Sequence, residues 1–387
     1  TDEYKTLVGP FFKKLGQKIF SSPWFIKKIS MKDRPDKIYE KLMNFEKVFC
    51  TDFSKFEATF VRELMAIEYQ VYSYFLKGHP LKDQILNLIR RGMQGRNRIE
   101  NKFFTFDLFC KRMSGEMNTS EANGLMNMLI TFFLLEENGN REYDAFFEGD
   151  DGIVGINGTI PADTDYSDLG AIIKLETPER ISYASFCGLV FDEEVKDNVC
   201  DPIDALMSFG YSTRQYVYAS KYTKLSLLRC KSLSLLYQYP GCPILVSLAK
   251  YGLRVTNMIT EDKLDKTFRK QKFNAYEKDE NQEMWKEYKD NGIFDKEIHI
   301  NTRILVQHLY KITIDQQYRI ENYLDNLQTL QPLIIPEIMP LIHNDAKDYY
   351  QKYGVVTDLS KPTKLYIPDF NIERYKIWHD AVNFSYV

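Results

Sequence analysis

The residues of this chain best suited to chemistry are acids separated by long stretches of sequence. Asp150 and Asp151 stand side by side after Gly149, with Phe146-Phe147 leading in and Ile153-Val154 leading out. That pattern predicts two short strands joined by a tight turn, with glycine at the bend and two carboxylates at the tip. Adjacent carboxylates repel, and each raises the other's pKa unless a cation sits between them. An isolated Asp-Asp-Gly is also an ordinary solvated turn, so the reading depends on partners elsewhere in the chain. Asp52 is one. It follows the strand-like run Lys47-Val48-Phe49-Cys50-Thr51, at the end of a buried strand, where packing fixes position and the sheet edge stays open to ligands. The loop around Ser114-Gly115 is another. It feeds a helix on which Thr119, Asn123 and Asn127 recur every four residues and share a face. The helix is otherwise apolar (Leu125, Met126, Met128, Leu129, Ile130), so those polar groups are expected to be buried and to need hydrogen-bond partners, a ligand among the candidates. Asn118 suits the N-cap of that helix, with Glu121 in capping-box position.

The elements that must position these groups read in order as follows. Residues 1–45 are basic and helical in pattern, with a new helix expected from Ser22-Pro23 and another over 36–45. A strand over 47–51 is followed by a long helix over 59–76, whose apolar face is Val61, Leu64, Met65, Ile67 and Val71. A short helix over 81–90, a turn over 91–95 and strands over 97–110 precede the Ser-Gly loop. After the acidic hairpin come an acidic loop over 161–168 and a segment over 169–176 holding Gly170 and Lys174. Two strands bent at Gly188 are expected over 182–191, and a mainly helical pattern from 201 onward.

Composition sets the class. The 387 residues are enough for two or three domain-sized cores, 44% are apolar, and aromatics reach 14%. The net charge of −3 carries no nucleic-acid signal, but its distribution does. Lys13, Lys14, Lys18, Lys27, Lys28, Lys32 and Arg34 form one basic region, and Arg90, Arg91, Arg96, Arg98, Lys102, Lys111 and Arg112 a second, while acids concentrate over 136–168 and 192–204. A basic track beside an acidic centre suits a polyanion handled at a metal site. The six cysteines are dispersed without any C-x-x-C pair, which argues against a zinc ribbon and for reduced thiols of an intracellular protein. The longest apolar run, residues 128–135, is too short to span a bilayer, and no signal peptide is visible. The chain opens on Thr1 without Met and is expected to be a fragment or a processed product.

Taken together, an acid ending a strand, a Ser-Gly loop opening a Thr- and Asn-bearing helix, and a Gly-Asp-Asp hairpin resemble, in order, motifs A, B and C of viral RNA-dependent RNA polymerases. Gly170-Ala171-Ile172-Ile173-Lys174-Leu175-Glu176 resembles motif D, and Phe186-Cys187-Gly188 the primer-grip motif E. Arg112-Met113-Ser114-Gly115 and Phe186-Cys187 are most similar to the tombusvirus-like and nodavirus-like polymerases of positive-strand RNA viruses. The resemblance implies an α+β right-hand polymerase fold, with an antiparallel palm sheet, flanking helices, partial fingers and a helical thumb. It divides the chain into a fingers remnant over 1–46, a palm over 47–191 with a fingers insertion over about 77–111, and a thumb and C-terminal region over 192–387.

It further implies RNA-templated RNA synthesis with two Mg²⁺ ions about 3.5–4 Å apart, Mn²⁺ being able to substitute. Asp52, Asp150 and the auxiliary Asp151 would hold them, with the backbone carbonyl of Phe53, and Lys174 would protonate the leaving pyrophosphate. Glu57, Ser114, Gly115, Thr119 and Asn123 would bind the nucleotide and its ribose, and Arg112, Cys187 and Gly188 the RNA. Glu57 stands where the family commonly has Asp, which touches sugar discrimination rather than catalysis. A basic motif F is not visible in residues 1–45, so the N-terminal fingers are expected to lie outside the chain. Template and nascent RNA, nucleoside triphosphates and other replicase proteins are the implied partners. A membrane-associated replication complex in the host cytoplasm is the implied site of action. The competing readings are a catalytically inactive replicase module of polymerase-like fold, a reverse transcriptase, and a metal-free Asp-Asp turn.

Overall fold

A computed structural model describes residues 2–344 apart from 114, 213–215, 217, 271–274, 293 and 295. The chain divides into two compact units: residues 1–200 with 234–246 and 272–309, and residues 201–233 with 247–271 and 310–387. The last 50 or so residues, rich in Pro and Tyr, lie almost wholly outside the described residues.

The first unit opens with helices α1 (Asp2–Ile19) and α2 (Arg34–Leu42), strand β1 (Lys47–Phe53), and helices α3 (Phe56–Thr59), α4 (Arg62–Phe75) and α5 (Lys82–Gln94). A ribbon of β2 (Arg96–Glu100) and β3 (Thr105–Phe109) follows, then helix α6 (Thr119–Glu137) and the hairpin β4 (Tyr143–Glu148) and β5 (Asp151–Ile156). Helix α7 (Asp163–Asp168), strand β6 (Ile173–Glu176) and the short pair β7 (Val190–Phe191) and β8 (Asn198–Val199) come next. The central sheet has the order β4-β5-β1-β6, and its registered pairs are all antiparallel. The fold is therefore α+β around an antiparallel sheet.

Alternation along the strands sends side chains to two buried faces. Phe49, Ala145, Phe147 and Val154 meet one core with residues of α1, α4, α5 and α6, while Cys50, Phe146 and Ile153 meet a second core with Ile38 and Leu42 of α2 and with Ile181, Phe186 and Phe191. A sheet packed on both faces leaves its strand ends as the open positions, and those ends carry Asp52 and the Asp150-Asp151 turn.

Several sequence expectations are corrected. No helix starts at Pro23. The segment turns and runs beside β4 instead, with Phe147 N–H donating to Trp24 O at 2.8 Å, so the outer edge of β4 gains a backbone partner. Residues 91–94 continue α5 rather than forming a turn, and the acidic loop contains α7. The buried face of α4 is Met65, Glu68 and Tyr72, whereas Val61 and Ile67 are exposed. Residues 186–189 form a two-residue turn with positive φ at both Cys187 (54°) and Gly188 (70°). Val190–Phe191 pair with β8 rather than with the segment before that turn.

The second unit is helical where described. Helices α8 (Pro202–Ser208), α9 (Lys221–Gln238), α10 (Leu245–Val255) and α11 (Glu261–Lys270) precede α12 (Ala275–Asn291) and α13 (Ile300–Tyr310), which return to the first unit, and α14 (Ile314–Asn326). Arg254 of α10 donates to the carbonyls of Leu324 at 2.7 Å and Leu327 at 2.9 Å, satisfying acceptors at the C-terminal end of α14.

Candidate active site

The hairpin places its acids by backbone geometry. Glu148 pairs with Asp151, leaving Gly149-Asp150 as a two-residue loop. Gly149 has φ +64°, and glycine at the first position is what a tight hairpin of this hand requires. Helix α6 then fixes the turn from behind. A Cβ on Gly124 would come within 2.9 Å of the Phe25 ring and 3.3 Å of Gly149 N, so only glycine permits this approach. One turn along, Asn127 Nδ2 donates to the backbone carbonyl of Asp150 at 2.7 Å. Its Oδ1 accepts from Thr131 Oγ1 at 3.2 Å, and Tyr166 OH meets that hydroxyl at 3.3 Å. Asn127 is fully buried, so the polar stripe read from the sequence does hold a chemical group, but that group is the turn itself.

Asp52 arrives by register. Thr51 pairs with Gly152 on one side of β1, and Asp52 pairs with Lys174 on the other. One step past the Thr51–Gly152 pair, Asp52 and Asp151 continue the same two antiparallel strands. Burial pushes the Asp151 carboxyl up to about 6, with Asp150, Asp52 and Glu148 adding to the rise and a hydrogen bond with the Cys187 thiol opposing it. Asp150 is also raised, by burial first and then by Glu57 and Asp52. The acids thus act on one another electrostatically. Among the described residues, however, no three His, Cys, Asp or Glu side chains close into a ready-made cation cage.

Glu148, beside the turn, is compensated where the aspartates are not. Arg34 Nη2 lies 3.1 Å and Lys27 Nζ 3.6 Å from its carboxylate, and Cys187 Sγ is 3.9 Å from Oε2. Lys27 also donates to Ser120 Oγ at 2.7 Å, tying the start of α6 to the same group. Lys41 holds the other end of β4 through Asp144 at 3.0 Å and Ala145 O at 2.9 Å. Sequence reasoning passed over Asn127 as a ligand of the turn, and over Glu148, Lys27 and Arg34. A basic run followed at distance by an acid beside the Gly-Asp-Asp was the available signal.

The remaining expected residues are placed as follows. Asn123 Nδ2 lies 3.4 Å from Glu57 Oε1, and Asn123 Oδ1 is buried without a donor. Thr119 is taken up locally: its hydroxyl donates to Glu116 O at 3.0 Å and so closes the loop before α6. The expected capping box at Asn118 does not form, because the Asn118 side chain turns inward to Glu68 at 3.2 Å and Tyr72 OH at 3.0 Å. Ser114 lies outside the described residues. Gly115 is exposed with φ +85°. Lys174 is exposed, its ammonium 2.6 Å from Glu176, which holds its pKa above the ordinary value. The backbone of Phe53 pairs with Ile173 at the end of β1.

Arg112 is a correction. It was expected on RNA, but its side chain is 2% exposed and ion-paired with Glu68, with the guanidinium 4.0 Å from the centre of the Phe60 ring. A charge so enclosed cannot meet a phosphate. The Cys187 thiol is turned toward Glu148, which leaves Gly188 as the exposed residue of that turn.

Residues 9–180 match the family described as viral RNA dependent RNA polymerase. The matched segment begins in α1, runs past β6 and contains Asp52, the loop at 111–118, and the Gly149-Asp150-Asp151 turn. No curated protein matches the sequence. Among solved structures, the insertion-loop deletion mutant of the RNA-dependent RNA polymerase of a human picobirnavirus aligns at 14% identity and a TM-score of 0.48, covering 72% of this chain and 53% of that one. The chain thus spans about half the length of that polymerase.

Proposed function

We propose that this chain carries out RNA-templated RNA synthesis as a viral RNA-directed RNA polymerase. Residues 47–191 form its palm, residues 1–46 and about 77–111 contribute fingers, and residues from 192 onward form the thumb and C-terminal region. The observation that carries this reading lies inside the family-matched segment: Asp52 and Asp151 lie near the ends of adjacent antiparallel strands, beside the turn that carries Asp150, and the three carboxyls act on one another. The donor set fits Mg²⁺, which favours carboxylate oxygens; burial first, and then the neighbouring acids, raise the Asp150 and Asp151 carboxyls, and a bound cation would relieve that repulsion. Asp52 and Asp150 would hold the ions, with Asp151 and the Phe53 carbonyl in support. When bound, two Mg²⁺ (or Mn²⁺) would supply charge neutralisation for phosphoryl transfer.

The chain's own residues do the rest. Asn123, anchored through Glu57, leaves Oδ1 free to accept a hydrogen bond from a ribose hydroxyl, the group that separates RNA from DNA precursors. Lys174, opposite Asp52 on the edge strand, stays protonated and can donate to leaving pyrophosphate once it swings from Glu176. The Arg112–Gly115 and Phe186–Gly188 sequences favour the tombusvirus-like and nodavirus-like enzymes of positive-strand viruses. RNA, nucleoside triphosphates and other replicase proteins are the partners this reading implies, with a membrane-associated complex in the host cytoplasm as its setting. Among the described residues no helix is long and apolar enough to cross a membrane.

The test is primer extension by the full chain on matched RNA and DNA templates, with and without Mg²⁺ or Mn²⁺. RNA-templated, divalent-dependent incorporation that is lost in Asp52→Ala and Asp150→Ala is expected. Incorporation without divalent ions, or on DNA alone, overturns the assignment.

A further inference from the structure

Glu68 is an acid on the buried face of α4, between Met65 and Tyr72, and its side chain has no exposure. Three donors converge on it. Arg112 and Tyr72 hydrogen-bond its carboxylate, and Asn118 Nδ2 reaches Oε1 at 3.2 Å while also meeting Tyr72 OH at 3.0 Å. Burial pushes the carboxyl up, and the Arg112 charge together with these hydrogen bonds pulls against that rise.

The positions of the donors in sequence give the cluster its meaning. Arg112 is the last residue before the loop at 113–117, and Asn118 is the first after it. One carboxylate therefore grips both ends of the loop that carries Ser114 and Gly115. Between the grips the loop closes on itself: Glu116 N donates to Met113 O at 3.1 Å, and Thr119 N and Oγ1 donate to Glu116 O at 3.3 and 3.0 Å. Its tail leans on α1, where Met117 packs over Gly9 so closely that a Cβ there would meet Met117 Cε at 2.7 Å. Met113, Glu116 and Met117 are thus tied to their surroundings between the two grips, and Gly115 is exposed beside them.

We propose that Glu68 is a positioning residue for nucleotide selection, acting through Arg112 and Asn118 to hold Met113 and residues 115–117 for the incoming nucleotide. This rests on the polymerase reading above. A simple staple between α4 and α6 needs only the Asn118–Tyr72 contact. The buried Arg112 bond adds nothing to that staple, but it fixes the other end of the loop. An arginine buried for this purpose also explains why a residue of the basic run leaves the surface.

Asn118→Ala removes one grip while keeping the ion pair, and Glu68→Gln removes the charge that Arg112 faces and one of the two acceptor oxygens. In steady-state extension with saturating primer–template, both variants should raise KM for the incoming nucleotide roughly tenfold, as expected when a binding group is displaced. Affinity for primer–template should stay at the wild-type value. A merely destabilised enzyme would lower the active fraction and kcat without moving KM. Hydrogen exchange of the full chain supplies a second readout: amides of 113–117 should exchange faster in Asn118→Ala, with α4 protected as in wild type. If Glu68→Gln fails to fold, Asn118→Ala alone decides. An unchanged KM in Asn118→Ala overturns the proposal, whether or not exchange in the loop changes. Absence of polymerase activity in the wild type counts against the polymerase reading, and faster exchange in the loop would then still support the grip itself.

Discussion

Glu68 and Asp151 are both carboxylates drawn away from water, and burial pushes both upward. Their neighbours are opposite. Glu68 faces a guanidinium, a phenol and an amide, all donating. Asp151 faces Asp150, Asp52 and Glu148, with only the Cys187 thiol opposing the rise. The same protein thus surrounds one buried acid with donors that oppose the effect of burial and leaves another among like charges. Compensation marks a group whose job is to hold the fold, because its interactions are already made. Like charges left together mark a place where the missing partner arrives from outside, and perturbed carboxylates at a strand end are where such a partner is expected. Glu148 sits between the cases: Lys27 and Arg34 neutralise it, so that it braces the hairpin without joining the open acids.

The contrast can be broken by neutralising each acid in turn. The largest effect is expected at the compensated site. Glu68→Gln leaves Arg112 buried without its counter-ion and should cost about 3–5 kcal/mol in denaturant unfolding. A cost under about 1 kcal/mol would mean that the pair is dispensable.

An intermediate effect concerns Glu121, in the first turn of α6, where burial lifts the carboxyl to about 7. Its folded-state pKa is above the unfolded value, so the native state holds the proton more tightly. Stability from this group is present below about 4.5 and is lost as pH rises through about 7. Between pH 5 and pH 8 the wild-type melting temperature should fall by roughly 5 °C more than that of Glu121→Gln. Parallel pH curves would show that the carboxyl is solvated. The smallest effect should also have the opposite sign to the first: in chelator at pH 8, Asp151→Asn should melt at or slightly above wild type, since it removes a charge from among its like. A marked fall in melting temperature would place Asp151 with Glu68, as a structural acid.

How much of this was legible in the sequence follows from the range of the interactions involved. The hairpin, its glycine and the strand carrying Asp52 near its end were readable because turn chemistry and strand patterning are local. Burial of Asn123 and Asn127 was readable from the apolar residues around them, whereas Thr119 at the start of the helix is only half-buried. What Asn127 and Asn118 bind was not, since their partners lie on the β4–β5 turn and on α4, far along the chain. Arg112 looked like any other member of a basic run. Only Glu68 on the opposite element shows that it is enclosed, and an acid spaced three and four residues from Met65 and Tyr72 on a helix was the one hint. The helix expected at Pro23 failed for a related reason: the segment gains more from pairing with the edge of β4 than from local capping.

The central claim is that the open acids at the end of the sheet await divalent cations. Calorimetric titration of Mn²⁺ into the full chain tests it directly, comparing wild type with Asp150→Asn and Asp52→Asn at one pH. Saturable binding by wild type that is lost in both variants is the predicted result. Binding of equal strength in all three proteins would contradict it.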